Sequence, residues 1–343
     1  MEPHELNRMF DQLVPTREQE EAGLRRLLEP ERKVLPMKKL KRLTVVGIAA
    51  ALMVITCAAA VVTGIDQRIL DYFGSGPQQA ELLVPCAVPV DITVENNGAV
   101  FHVSQVLMDR YSLLVLADFT APEGTVLDEG KRLQFDMYCQ PLDQEGKFIN
   151  PHRNWLNVQK LLDDGDPLDN HLTVLYEMLP FPGFQPDDEI KNMYLTVKHL
   201  VSPDGNVNVP VYLGDWSCQI PISWQDMGQS IPVNQVVSQL DGTDITATEV
   251  YLSPMTLQIY LEGEFSRENW LLLPDAGPVT LTSKNGRTVQ MKDFDASGGE
   301  QSQSWSFQLD EIIDPAQFQD GTITLSVNGE SVDISLDGLV PAE

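Results

Sequence analysis

The densest group of chemically active side chains is an acidic run near the middle of the chain. Asp163, Asp164, Asp166 and Asp169 place four carboxylates within seven residues, and Gly165 allows the backbone to bend between them. Calcium prefers such clusters of oxygen ligands, but the twelve-residue spacing and the terminal glutamate of the EF-hand are missing. The pattern makes these four residues a weak calcium candidate, and it favours a solvated acidic loop over a metal site.

Other motifs typical of enzymes are missing from the sequence. It contains no nucleophile elbow, phosphate loop, paired zinc motif or dinucleotide fingerprint. The histidines after residue 100 are isolated from one another in the sequence, at His102, His152, His171 and His199. His102 lies in an alternating run, so we expect its side chain to point to solvent from a strand. We therefore predict no catalytic residue, no cofactor and no enzymatic activity.

Two short apolar stripes precede residue 42. Their side chains recur at helical spacing, and each stripe ends at a proline, Pro15 or Pro30. Isolated helices of this length are marginal in water, so the stripes form a loose hairpin, lie on a membrane surface or bind a partner protein. The candidate partner-binding residues are Leu6, Phe10, Leu13, Leu24, Leu27 and Leu28.

Residues 43–65 contain no charged residue. As a helix this run would be about 34 Å long, enough for the roughly 30 Å hydrocarbon layer. A basic cluster at residues 32–42 precedes it, and the first charge after it is Asp66. The positive-inside rule predicts a single-pass protein of the cell membrane, with a cytoplasmic N-terminus and residues 66–343 outside. The alternative is a cleaved signal peptide, suggested by small residues at 58–60 and opposed by the long leader and the long apolar run.

The net charge of −27 is distributed unevenly. Residues 1–42 hold ten Lys or Arg and eight Asp or Glu of the chain's 23 and 50, which leaves 13 basic and 42 acidic residues, or −29, for the rest. Such a surface repels nucleic acid and anionic lipid, so we predict no direct nucleic-acid binding. It either attracts cations and basic partners or simply keeps the protein soluble.

The cysteines are too few for a disulfide scaffold. Cys57 lies in the apolar run, which leaves Cys86, Cys139 and Cys218 in the outer part. Cys139 and Cys218 both lie in runs typical of strands, so a disulfide between them and two buried free thiols are both open alternatives.

Short runs of β-type residues fill most of the outer part. Asn97-Gly98 joins two of them and is a strong hairpin signal. Strands separated by turn signals every eight to twelve residues leave no room for crossover helices. We therefore predict a mainly β fold, with two tandem Ig-like β-sandwich ectodomains after an N-terminal helical segment and one transmembrane helix.

The predicted boundaries follow the turn and linker signals. Residues 66–85 are expected to extend the membrane helix briefly and then form a juxtamembrane linker. The first sandwich is expected at 86–225 and the second at 229–343, with the interdomain linker at 226–232. Within residues 150–170 a short helix or a long loop is expected, because Trp155, Val158, Leu161 and Leu162 have helical spacing. The five tryptophans are expected to belong to cores.

Residues 10–28, followed by the basic cluster and one membrane helix, resemble the start of a family of Gram-positive single-pass proteins. These proteins carry an extracellular domain of unknown function and are regarded as anti-sigma-factor-like regulators, often paired with an extracytoplasmic-function sigma factor. Residues 97–100 and 106–115 resemble that domain's hairpin and its Asp-bearing strand turn. Residues 248–257 are similar to the Ser-Pro strand signature of the Ig-like domain that often follows it.

The resemblance implies a sigma factor as partner on the cytoplasmic side and an unknown extracellular ligand that is sensed or bound outside. The zinc motif of many anti-sigma domains is missing, because residues 1–42 hold only His4 and no cysteine. Any sigma contact would therefore be made by helices alone. The main alternative is a surface-anchored adhesion or envelope-structural protein, and a weaker one is a membrane-anchored hydrolase.

Overall fold

The computed structural model describes residues 64–149, 156–179, 190–204, 207–223, 225–265, 274 and 277–337. All of them belong to one compact unit. Within these ranges the chain is mainly β. Two short helices, α1 (Gln67–Tyr72) and α2 (Pro77–Leu83), come first and run into a 3₁₀ turn at Val84–Cys86.

Nine antiparallel strands follow and form the N-terminal sandwich. They are β1 (Ala87–Asn96), β2 (Ala99–Met108), β3 (Leu113–Thr120), β4 (Gln134–Leu142), β5 (Leu156–Leu162), β6 (His171–Leu179), β7 (Asn192–Asp204), β8 (Val207–Asp215) and β9 (Cys218–Pro221). One sheet has the order β1-β2-β3-β6-β5, and the other has the order β4-β7-β8 with β9 also paired to β7. Side chains of both sheets share one hydrophobic core with the fully buried Trp216, which lies between β8 and β9, as expected for packed sheets.

The remaining strands form the C-terminal sandwich. They are β10 (Gln229–Leu240), β11 (Thr243–Leu252), β12 (Thr256–Glu262), β13 (Thr280–Thr282), β14 (Thr288–Gly298), β15 (Ser302–Leu309), β16 (Thr322–Val327) and β17 (Glu330–Ser335), with a 3₁₀ turn at Pro315–Phe318. Their order is β10-β11-β12-β15-β14-β13-β16-β17. The first part of β14 pairs with β13 and its second part with β15, so this strand connects two groups of strands around a core that contains Trp305.

The two sandwiches repeat one topology. The orders β1-β2-β3-β6-β5 and β4-β7-β8 become β10-β11-β12-β15-β14 and β13-β16-β17 when nine is added to each strand number. Both first strands change register just after a proline, Pro89 in β1 and Pro232 in β10. Both second strands carry one extra residue against the third strand, Ser104 in β2 and Thr248 in β11. Since bulges are specific features of a strand, positions can be matched residue by residue.

The first hairpin of each sandwich has the same turn. Asn97 and Gly98 have φ values of 52° and 81°, which confirms the hairpin predicted there. Asp241 and Gly242 have φ values of 50° and 82° and join β10 to β11 in the same way. This second hairpin turn was not predicted from the sequence.

The prediction of a helix or loop within residues 150–170 was wrong for 156–162, which form β5. Leu161 packs against the core of the N-terminal sandwich, whereas Leu162 packs against an apolar cluster on the opposite face of the sheet. A strand covered on both faces loses the alternating pattern by which strands are recognised. The expected interdomain linker is also shorter, because β10 already begins at Gln229. Trp216 and Trp305 are buried as expected, and the other tryptophans lie outside the described residues.

Candidate functional site

Residues 64–86, here called the strap, lie across the outer face of the N-terminal sandwich. Ile65, Ile69 and Phe73 recur every four residues through α1 and the residues that flank it, and all three are at most 1% exposed. The strap contributes Ile65, Ile69, Leu70, Phe73, Ala80, Leu83 and Cys86 to a buried cluster with Leu107, Leu114, Leu116 and Leu175 of the sheet and Met255 and Ile312 of the C-terminal sandwich. The segment expected to be a linker is thus packed against both sandwiches.

Gln105 of β2 fixes the first residues of the strap. Its Oε1 accepts a hydrogen bond from the Asp66 backbone N–H at 2.7 Å, and its Nε2 donates to the Gly64 carbonyl at 2.6 Å. The Gln105 residue is only 3% exposed. A buried amide that binds both a donor and an acceptor of the backbone fixes the position of the chain where it meets the sandwich.

Arg68 of α1 holds the strap to the sheet by charge. Its guanidinium binds the Asp66 carboxylate at 3.0 and 3.1 Å and the Asp118 carboxylate of β3 at 2.6 Å. Longer hydrogen bonds reach Thr173 at 3.4 Å and Ser104 at 3.5 Å. Arg68 and the two carboxylates are ionised, so their hydrogen bonds are charge-assisted. Because these groups are mostly buried, salt screens the interactions weakly.

Two histidines complete the surroundings of Asp118. His171 lies 2.6 Å from Asp164 and 3.4 Å from Asp118, while His102 lies 3.0 Å from Asp91 and 4.0 Å from Asp118. Burial would lower the pKa of His171, but the hydrogen bonds to Asp118 and Asp164 outweigh it and raise that pKa to about 9. The nearby carboxylate of Asp118 likewise raises the pKa of His102. His102 points away from the core as expected, because its neighbours Phe101 and Val103 are buried, but its side chain is only 20% exposed.

The same charges act on Asp118. Burial would raise the pKa of its carboxyl, but the adjacent side chains of His102, His171 and Arg68 hold it well below its usual range. The carboxylate therefore stays ionised in the folded protein and supplies the negative centre of the cluster.

A second buried carboxylate connects the two sandwiches. Asp109, in the turn between β2 and β3, is fully buried and accepts the Ser253 hydroxyl of the β11–β12 turn at 2.6 Å. Its other oxygen accepts the Tyr111 backbone N–H at 2.8 Å. Burial raises the pKa of Asp109 to about 6 in spite of these hydrogen bonds. The contact between the sandwiches thus contains an acid that titrates near neutral pH.

Aromatic side chains surround that carboxylate. The Tyr111 ring packs edge-on against Tyr251 and Tyr260, with centroids 4.6 and 6.1 Å apart, and its hydroxyl is hydrogen-bonded to that of Tyr260. The Arg110 guanidinium lies 5.2 Å from the Tyr111 centroid and 3.5 Å from the Asp226 carboxylate. These contacts join the sandwiches through a specific, largely buried interface.

An open groove of about 580 Å³ lies on the outer face of the C-terminal sandwich. Its polar lining includes Thr248, Glu249, Tyr260, Glu262, Ser302 and Gln303. The Ser230 hydroxyl donates to Glu249 at 2.7 Å and so orients that carboxylate. Within the described part of the chain, neither glutamate forms an ion pair with a lysine or an arginine. The groove therefore offers negative charge to a ligand from outside.

The acidic run at residues 163–169 forms a series of hydrogen-bonded turns. Each carboxylate of Asp163, Asp164, Asp166 and Asp169 accepts a hydrogen bond from the backbone N–H two residues later, at 2.6 to 3.3 Å. The described residues contain no group of three His, Cys, Asp or Glu side chains placed to hold a metal ion. The carboxylates stabilise the turns of the loop.

The register of β7 rules out the conceivable Cys139–Cys218 disulfide. Both cysteines pair with Leu195, but from opposite sides, because β4 and β9 flank β7. Alternate strands lie about 9.5 Å apart, and a disulfide needs Cα atoms within about 7 Å. Cys86, Cys139 and Cys218 are buried free thiols.

The candidate partner-binding residues of the N-terminal segment, Leu6, Phe10, Leu13, Leu24, Leu27 and Leu28, lie outside the described residues. So does the predicted span, except for Gly64 and Ile65 at its end. Among the helices that the structure describes, none has the length and apolar character needed to cross a membrane.

The strap contacts and the groove were not predicted from the sequence. Gln105 and Asp118 are far from Arg68 in the chain, so no local pattern connects them. The spacing of Ile65, Ile69 and Phe73 was the available signal, because a one-sided apolar stripe indicates a packed helix better than a linker.

No protein-family model matches this chain, and no curated protein matches it. Among solved structures, one similar chain is a conserved domain protein from Bacillus anthracis, with a TM-score of 0.47 and 14% identity over 71% of this chain and 80% of that one. Another is bovine butyrophilin, with a TM-score of 0.16 and 10% identity over 69% of this chain and 95% of that one. Neither likeness is strong enough to assign a function.

Proposed function

We propose that this protein is a single-pass membrane regulator of the anti-sigma-factor-like kind. In this proposal residues 1–42 hold a sigma factor in the cytoplasm, and two tandem Ig-like sandwiches sense or bind a ligand outside. The predicted span at 43–65 crosses the membrane only as far as residue 63, because Gly64 and Ile65 are packed in the strap. The strap is the observation that supports it most, because the residues that directly follow the proposed span are buried against both sandwiches.

A packed strap differs from a free linker in what it can transmit. Gly64 and Asp66 are hydrogen-bonded to Gln105, and Arg68 is paired with Asp118. A change in the sandwiches would therefore alter the position or exposure of the residues next to the span, whereas a flexible linker would absorb it. A transmembrane regulator requires such transmission of a structural change from the outer domains to the span.

The regions that carry the family resemblance also meet in space. Asp109 belongs to residues 106–115 and Ser253 to residues 248–257, and the two are hydrogen-bonded at 2.6 Å. Both stretches thus form the interface between the sandwiches, which supports a common role in one sensing unit.

The test is the identity of proteins that co-purify with the tagged, detergent-extracted chain. We expect a sigma factor with the wild-type chain and with the control Gln12→Asp, which changes the polar side of the first predicted helix. Phe10→Asp and Leu27→Asp should abolish its recovery and leave membrane insertion intact, because charges on the apolar stripes remove the docking surface.

A sigma factor that is retained by both stripe variants, or never recovered, would contradict the regulator proposal. The surface-anchored adhesion or envelope-structural alternative would then move ahead. The buried interface at Asp109 and Tyr111 favours that alternative in one respect, since it joins the two sandwiches through packed side chains, as a load-bearing protein would need.

A further inference from the structure

The two sandwiches carry the same groove, filled in one and open in the other. Because Ser104 and Thr248 are equivalent extra residues, neighbouring positions of β2, β3, β11 and β12 can be matched through their pairing. The residues around the start of the strap and their counterparts are Ser104 and Thr248, Gln105 and Glu249, Leu116 and Tyr260, Asp118 and Glu262, and Thr173 and Ser302. All five counterparts line the open groove.

In the N-terminal sandwich this position holds a peptide segment of the chain itself. Residues 64–68 lie there, with their backbone hydrogen-bonded to Gln105 and the Arg68 guanidinium bound to Asp118 at 2.6 Å. The N-terminal groove is thus an arginine-peptide site whose ligand is covalently attached.

The C-terminal groove keeps the acidic group of that site and adds a second. Glu262 replaces Asp118, and Glu249 replaces the neutral Gln105. Glutamate still accepts a backbone N–H as the Gln105 Oε1 does, but it does not donate. Among the described residues that line the groove there is no lysine or arginine, so its two carboxylates favour a cationic ligand. Guanidinium suits them because it binds carboxylates with two parallel hydrogen bonds.

The walls of the C-terminal groove are also more polar. Tyr260, which lines the groove, occupies the position of Leu116, and the buried Ser304 beside it occupies that of Leu175. The strap covers both leucines with apolar side chains. A hydrophobic helix such as α1 would not suit these walls. The occupant should therefore be a polar segment with an arginine, as expected of an exposed loop or terminus.

From this internal comparison we propose that the groove at Glu249 and Glu262 binds an arginine-bearing polar peptide segment of a partner protein, in the way that the N-terminal groove binds the strap. The site would serve a regulator and an adhesion protein equally, so it does not depend on the sigma-factor proposal. Tyr260 lines the groove and is hydrogen-bonded to Tyr111, so an occupant would also contact the interface between the sandwiches.

The test uses the full chain in detergent and a synthetic peptide, Gly-Ser-Ala-Gln-Arg-Ser-Gly, labelled with a neutral dye. This peptide keeps the Gln-Arg pair of the strap and replaces its apolar and acidic residues. Fluorescence anisotropy should show saturable binding with a dissociation constant below about 1 mM, the range of weak specific contacts. The same peptide with citrulline, the neutral isostere, should bind at least about tenfold more weakly because the ion pair is lost.

Glu262→Gln should weaken binding of the arginine peptide to the level of the citrulline peptide, and Glu249→Gln should have a smaller effect. Glu330→Gln is the matched control, because Glu330 is exposed on β17 of the same sandwich. Thermal unfolding of each variant verifies that the fold is retained. Absence of saturable binding, equal affinity for both peptides, or unchanged affinity in Glu262→Gln would overturn the proposal.

Discussion

Asp109 and Ser253 are hydrogen-bonded to each other from equivalent positions of the two sandwiches. Each begins the turn between the second and third strands, and each accepts a backbone N–H two residues later, from Tyr111 or from Met255. Tyr111 packs on the C-terminal sandwich, and Met255 belongs to the cluster on the N-terminal one. The interface is thus a pseudosymmetric exchange of turns, in which each sandwich covers part of the other's outer face.

Ser253→Ala should destabilise the protein by about 1–3 kcal/mol at pH 8, because it leaves one oxygen of buried Asp109 without its donor. The effect should be smaller at pH 5. The pKa of Asp109 is raised from 3.8 to about 6, so its carboxyl is largely neutral at pH 5 and needs the donor less. Urea unfolding at the two pH values measures the difference.

Ser253→Ala also removes the hydrogen bond that the serine hydroxyl accepts from the Met255 backbone N–H. That loss costs the same at both pH values, so only the Asp109 contribution changes with pH. Asp109→Asn should remove the pH dependence of the serine effect, since the amide does not ionise. An equal cost of Ser253→Ala at pH 5 and pH 8 would show that the carboxylate is not the partner that matters.

The hairpin at residues 97–98 and the mainly β fold were predictable because they depend on the conformational preferences of neighbouring residues. Positive φ favours Asn-Gly pairs, and β-branched residues favour strands. The double coverage of β5 was not predictable, since Leu162 reads as a break in alternation until the strap is known to cover it. The groove residues Glu249, Glu262 and Ser302 come from three strands. They can be recognised as one site only when the two sandwiches are matched strand by strand.

Asp118→Asn should loosen the strap. The change removes the charge that Arg68, His102 and His171 share, and breaking a mostly buried ion pair costs about 2 kcal/mol or more. Chymotrypsin cleavage after Tyr72 or Phe73 requires the strap to leave its cluster, so it should accelerate at least about tenfold. Mass spectrometry of timed digests locates the cut.

Asp136→Asn is the matched control for this experiment, because Asp136 is exposed on β4 of the same sandwich. Its digestion should proceed at the wild-type rate. If Asp118→Asn were cleaved no faster than Asp136→Asn, the ionic cluster would not be what holds the strap.

His171 should stabilise the protein below neutral pH and lose that effect in alkali. Its pKa is raised from 6.5 to about 9, so the stabilisation is fully present below pH 6.5 and disappears as the pH rises through 9. His171→Gln should therefore cost about 1–2 kcal/mol at pH 7 and much less at pH 10. Denaturant unfolding at both pH values tests this, and a cost that does not change with pH would contradict it.

Phe73→Ala should lower the stability of both sandwiches and the coupling between them. Phe73 is 1% exposed in the cluster that contains Met255 and Ile312, and truncating a buried phenylalanine costs about 3–5 kcal/mol. Phe294→Ala, at an exposed phenylalanine of β14, should cost about 1 kcal/mol or less. Since the strap connects the sandwiches, calorimetry should show one transition for the wild-type chain and two for Phe73→Ala. Equal costs for the two variants, or two transitions in the wild-type chain, would mean that the strap does not couple the sandwiches.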